Sequence, residues 1–151
     1  MDGLALSMVV MAIWIILLAF WLAWAHIGSI ARGVVDVKEF AKTGVWPHAW
    51  IRNAGDNFNN QSEIPLLFFA LCLLLMVLKF ESGSSAMFHH HWISHVGWLF
   101  VGSRIAHSLN QLTVNHIPTR FLTFLFGVIC VAVIAVFALG VVLGLLPRRP
   151  F

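Results

Sequence analysis

Arg104, His107, Ser108 and Gln111 recur at spacings of three and four residues. On a helix this puts Gly97, Arg104, Ser108 and Gln111 on one face, with His107 at its edge. A guanidinium, a hydroxyl and a carboxamide on one stripe, with an imidazole beside them, are groups that hold an anion or a polar ligand. Arg120 follows the helix-breaking Pro118 by two residues and falls in the first turn of the next helix, where unpaired backbone N–H groups already favour negative charge. Glu63 is the carboxylate expected to answer Arg104, since both fall towards the same end of antiparallel helices. Two readings of that pair stay open: a structural ion pair that fixes packing, or an anion-binding or catalytic group.

Other chemistry is thinly represented. His91 and His95 have helical ligand spacing, but they lie opposite Arg104 and no Cys, Asp or Glu joins them at a useful distance, so no metal site is expected. There is no glycine-rich phosphate loop and no nucleophile elbow. Cys72 and Cys130 sit inside apolar runs and read as small buried hydrophobes.

The elements that must position these groups belong to a membrane. The chain of 151 residues is 60% hydrophobic and 10% charged, beyond what a soluble domain needs. The net charge of +3 is small and reads as membrane topology, with no nucleic-acid partner. One domain over 1–151 is expected, with membrane helices near 4–26, 51–79, 86–112 and 118–146. Leu4 to Ala25 carries no charge over 22 residues, roughly 33 Å of helix. Ala23-Trp24-Ala25 superficially fits a signal-peptidase site, yet no basic segment precedes so long a run, so a retained helix is expected.

Ile64 to Leu78 is only 15 residues, about 22 Å against a hydrocarbon core of about 30 Å. Its helix must extend backwards and draw Glu63 and Asn60 towards the apolar zone. Arg52, Asp56, Asn60 and Glu63 fall within about a quarter turn, a polar face expected to be hidden in a bundle interior and covered by neighbouring subunits. Pro65 cannot donate to the Gln61 carbonyl. Lys42 to Pro47 reads as a loop and Glu81 to Ser85 as a turn. Arg32, Lys38, Lys42 and Arg52 share one side with Arg120, against Lys79, Arg148 and Arg149 on the other. That asymmetry predicts a multi-pass integral membrane protein with both termini non-cytoplasmic.

In this order the motifs resemble the MAPEG superfamily, the membrane-associated proteins in eicosanoid and glutathione metabolism. Asn60-Gln61-Ser62-Glu63-Ile64-Pro65 resembles the family's Asn-x-x-Glu start of the second helix. Val101 to Ser108 is similar to its third-helix motif, an Arg followed three residues later by His-Ser/Thr, and His116 to Arg120 to the turn that delivers its catalytic Arg. The resemblance covers nearly the whole chain. It implies an all-α, integral membrane four-helix bundle, trimeric, holding glutathione between subunits near the cytoplasmic face. Asn60, Glu63, Arg104, His107 and Gln111 would be cofactor-binding and Arg120 catalytic. The implied activity is a glutathione-dependent transferase or peroxidase acting on a lipophilic small molecule. Two positions depart from the pattern: Asp56 stands where the family has an Arg, Gln111 where it has a Tyr, and the chain has no Tyr at all. A carboxylate in place of a guanidinium repels an anionic tripeptide. These departures support the alternative, a non-catalytic membrane subunit using the fold as a structural or interaction module.

Overall fold

Local sequence chemistry stops and starts each helix in the computed structural model, which describes residues 3–82 and 91–145. Helix α1 (Gly3–Ala31) outlasts its apolar run by a turn and a half and closes at Gly33, whose φ is +71°. There the Gly33 N–H bonds the Ile30 carbonyl at 2.9 Å and the Val34 N–H bonds the Ser29 carbonyl at 2.9 Å, the paired closure that a left-handed glycine permits. Helix α2 (Val37–Thr43) was not expected; its stretch reads as charged loop because seven residues carry too little periodicity. Its ends are nevertheless well made. The Asp36 carboxylate accepts from the Lys38 N–H at 2.8 Å and, more weakly, the Glu39 N–H at 3.4 Å, and Gly44 closes the other end at φ +65°.

Helix α3 (Ala49–Ser82) continues through Pro65, followed by α4 (His91–Leu112) and α5 (Ile117–Val142), which starts with Pro118 in its first turn. Residues 83–90, including part of the expected turn and of the expected start of the third span, lie outside the described residues, as do 146–151. Helix α4 packs against α1 on one side and α5 on the other; α3 lies mainly on α1 and also meets α5 and α4. At one height the core is apolar: Met11, Phe68, Cys72, Phe100, Cys130 and Ile134 are buried together, with Phe68 stacked on Phe100 at 4.4 Å between centroids. Outward faces carry Ile13, Leu17 and Phe20 on α1 and Leu122, Ile129 and Val136 on α5, all exposed as lipid-facing side chains should be. Helices α1, α3 over Ala49–Leu78, and α5 are long and apolar enough to cross a membrane. Helix α4 is not among them; polar groups on its buried face lower its hydropathy. The chain is an all-helical integral membrane bundle.

Cross-helix bonds fix the heights. His26 Nε2 meets the Ile51 carbonyl at 3.3 Å, so the end of α1 is level with the start of α3. Trp14 Nε1 donates to Ser108 Oγ at 3.4 Å, and Gln61 Nε2 to the same oxygen at 2.5 Å. Trp14, Gln61 and Ser108 therefore share one level, near the middle of α1's uncharged run.

Candidate functional site

The apolar face of α3 carries Phe68, Cys72 and Leu75; continued backwards at helical period it passes through Pro65, Gln61 and Asn57, all buried. Gln61 is the hub. Its Oε1 accepts from Arg104 Nε at 3.2 Å, while its Nε2 reaches Ser108 Oγ and, at 3.3 Å, the Arg104 carbonyl. Arg104 Nη2 donates to the Asn60 carbonyl at 2.7 Å. The guanidinium also lies over the Phe124 ring, 5.7 Å from its centroid. Arg104 is 0% exposed, and Gly127 on α5 makes room for it: a Cβ there would come within 3.4 Å of Arg104 Cδ and 2.9 Å of Ser103 Oγ.

This corrects the expected ion pair. Arg104 is held by a carboxamide and a backbone carbonyl, and Glu63 is exposed on the opposite side of α3. The reason is angular: Gln61 sits on the inward face, and two residues further along a helix turns by about 200°. The expected polar face is not enclosed within one bundle. Arg52, Asp56 and Glu63 are exposed on the single chain and Asn60 is half-buried, whereas Asn57 and Gln61 form the inward polar stripe. The signal for that stripe was present in the apolar repeat, run back past Pro65.

Of the remaining site residues, Asn60 and Gln111 meet, with Asn60 Nδ2 donating to Gln111 Oε1 at 3.2 Å; Gln111 is buried. His107, also buried, faces the first turn of α5, its Nδ1 3.0 Å from the Arg120 carbonyl. A carbonyl only accepts, so Nδ1 carries the hydrogen and Nε2 presents a lone pair. Arg120 is half-buried and anchored at one point, with Nη1 donating to Asn115 Oδ1 at 2.6 Å.

The turn makes that anchor possible. Asn115 takes φ +51°, a left-handed value that asparagine tolerates, and its N–H bonds the Asn110 carbonyl at 2.6 Å. The Asn110 side chain accepts the His116 N–H at 2.9 Å. Sequence reading missed Asn115 as Arg120's partner; the Asn ahead of an X-X-Pro break was the available signal.

Several buried atoms here have no hydrogen-bond partner within the chain: Arg104 Nη1, Arg120 Nε and both polar atoms of the Asn57 carboxamide, whose residue is 1% exposed. Buried polar atoms of this kind, three donor nitrogens and one acceptor oxygen, mark places where water, a ligand or another subunit completes the structure. Glu63 is not drawn into the cluster. Among the described residues no three His, Cys, Asp or Glu side chains gather as a metal centre requires.

Compared with known proteins, the chain matches the model of the MAPEG family over residues 4–140. No curated protein and no solved structure matches it. A match over nearly the whole length, on a helical membrane bundle, settles the relationship: the chain belongs to the MAPEG family.

Proposed function

We propose that this protein is a glutathione-dependent transferase or peroxidase for a lipophilic substrate, working as a homotrimer with glutathione held between subunits and both termini non-cytoplasmic. One observation carries the reading. Arg120 stands in the first turn of α5, fixed through a single guanidinium nitrogen to Asn115, with Nε buried and unpartnered. A cation held at one end and left short of acceptors at a helix N-terminus suits a developing negative charge. Among the described residues the groups present fit the cofactor in part. Arg120 would face its sulfur, and Asn60 and Arg104 would hold its polar backbone. His107 Nε2 offers an acceptor beside them, while Glu63 is available on the outer face of α3 to a ligand lying between subunits.

When bound, glutathione supplies the nucleophilic sulfur. A free thiol of pKa about 8.5 is mostly protonated at neutral pH, and a neighbouring guanidinium favours its anion. The chain's own contribution is to hold that charge at Arg120, to keep the Arg120 backbone in place through His107, and to admit the two reactants from different phases. The charged segment 32–48 and the α4–α5 turn lie at the same end of the bundle, where a water-soluble thiol arrives from one side and a lipophilic partner from the bilayer.

Titrating purified protein with glutathione by calorimetry, while following thiolate absorbance near 240 nm (an approximate band position), tests this reading. Binding with an absorbance rise in wild type, and loss of the rise in Arg120→Ala, is the expected result. Absence of both in wild type removes the catalytic reading. A second reading, a non-catalytic subunit, draws on Gln111: the residue at the family's Tyr position is buried and its Oε1 is already taken by Asn60.

A further inference from the structure

Arg52, Asp56, Asn59 and Glu63 are all exposed on α3, and they fall within roughly 60° of one another, opposite the buried face of Asn57, Gln61 and Pro65. Further along, the same outward line becomes Leu66, Leu67, Ala70 and Leu74, which suit lipid. The charged stretch does not. Glu63 follows Gln61 by two residues, and Gln61 shares Ser108 with Trp14, near the middle of the uncharged run of α1. Its carboxylate therefore stands at hydrocarbon depth on the outside of the chain. Among the described residues neither Asp56 nor Glu63 has a hydrogen bond or ion pair within the chain, and Arg52 uses only Nη1, on the Trp46 carbonyl at 3.1 Å. An ionised group at that depth is costly in contact with lipid and calls for a protein cover.

We infer that a second copy of this chain covers the stripe, with Arg52 of one protomer pairing with Asp56 of the next around a closed ring. This rests on the trimeric part of the proposed function. Charge complementarity selects the occupant. On the helical wheel Arg52 and Asn59 lean to one flank of the stripe, and Asp56 and Glu63 to the other. Copies related by a rotation present opposite flanks to each other, so cation meets carboxylate at every junction. One register serves both pairs: Arg52 to Asp56 and Asn59 to Glu63 each span four residues, about 6 Å along parallel helices, within reach of these side chains. Asp56 thereby acquires a role at the position where it departs from the family's Arg. It closes the subunit junction electrostatically, and its carboxylate is neutralised by the neighbour instead of being left to repel a glutathione carboxylate.

The test is a charge swap. Arg52→Glu and Asp56→Lys, singly and together, are compared with wild type by native mass spectrometry in mild detergent. Both residues are exposed on the protomer, so helical content by circular dichroism should stay at the wild-type value. Each single reversal should shift oligomer dissociation by about tenfold or more, and the double swap should restore most of it. As a readout independent of stability, separately tagged Arg52→Cys and Asp56→Cys chains are co-expressed and oxidised. A mixed disulfide is expected, and Cys72 and Cys130, both buried, do not compete. A double swap no better than the worse single, or no mixed disulfide, overturns the pairing; so does a monomeric wild type. Glutathione titration of the same samples separates the two proposals. Rescue without glutathione binding removes the catalytic reading and keeps the ring, whereas binding by a trimer that shows no rescue removes the ring alone.

Discussion

Arg104 and Arg120 carry the same guanidinium in two different surroundings. Around Arg104 the bundle is nearly closed: Gln61, the Asn60 carbonyl and the Phe124 ring enclose it, none of its surface is exposed, and Nη1 is left without a partner within the chain. Around Arg120 it is open-ended, with one anchor at Asn115 and the side chain half-buried beside a tight turn. Neutral partners in the first case stabilise a charge without neutralising it, so that its removal is felt throughout the three helices. In the second case most of the charge's interaction capacity is unspent and available to something that arrives later. Under the proposed function the enclosed arginine would act mainly as support and the half-open one would face the reacting sulfur.

The largest effect should come from emptying the enclosed site. Arg104→Ala strands Gln61 Oε1 and the Asn60 carbonyl and opens a cavity, and should lower stability by about 3–5 kcal/mol in thermal unfolding in mild detergent. A loss below about 1 kcal/mol would erase the contrast between the two arginines. Next, Arg120→Ala should reduce turnover by about 100- to 1,000-fold with a smaller change in glutathione affinity, while its melting temperature stays near wild type. A stability loss equal to that of Arg104→Ala would make both residues structural. Third, Gly127→Ala places a methyl 2.9 Å from Ser103 Oγ, itself bonded to the Phe100 carbonyl at 2.6 Å, and 3.4 Å from Arg104 Cδ. It should cost about 1–3 kcal/mol by overpacking the Arg104 layer, and leave the turnover of the folded fraction unchanged. The smallest expected effect is an absence of coupling: Glu63→Gln and Arg104→Met should combine additively to within about 0.5 kcal/mol, since no contact joins them in the chain. A larger coupling energy would return Glu63 to the role that sequence alone assigned it.

Much of the molecule was legible from its residues. Uncharged runs gave a helical membrane bundle, Pro118 marked the first turn of α5, and the spacing of Arg104, His107 and Arg120 led to the family. What escaped did so for identifiable reasons. Glu63 was paired with Arg104 because opposite charges dominate a reading made without angles; a neutral Gln two residues away, on the other side of the helix, took the guanidinium instead. Helix α2 escaped because its stability lies in Asp36 and Gly44 at its ends, not in an apolar stripe. Asn57 escaped because an amide in a polar stretch looks unremarkable until its face is shown to be buried.

The α4–α5 turn narrows what mutation can explore. At position 115 one residue satisfies two demands that few side chains meet together: a left-handed backbone and an acceptor aimed at Arg120. Glycine meets the first and loses the second; serine or glutamine keeps an oxygen but is strained at φ +51°. Aspartate meets both, yet replaces a neutral oxygen with a charged one and cancels the positive field at the helix start. A saturation library at this codon, selected for folding alone, should therefore return asparagine, aspartate and glycine, and one selected for activity should return asparagine nearly by itself. The chemical site is thus protected less by the arginine that would act in it than by the amide that precedes it.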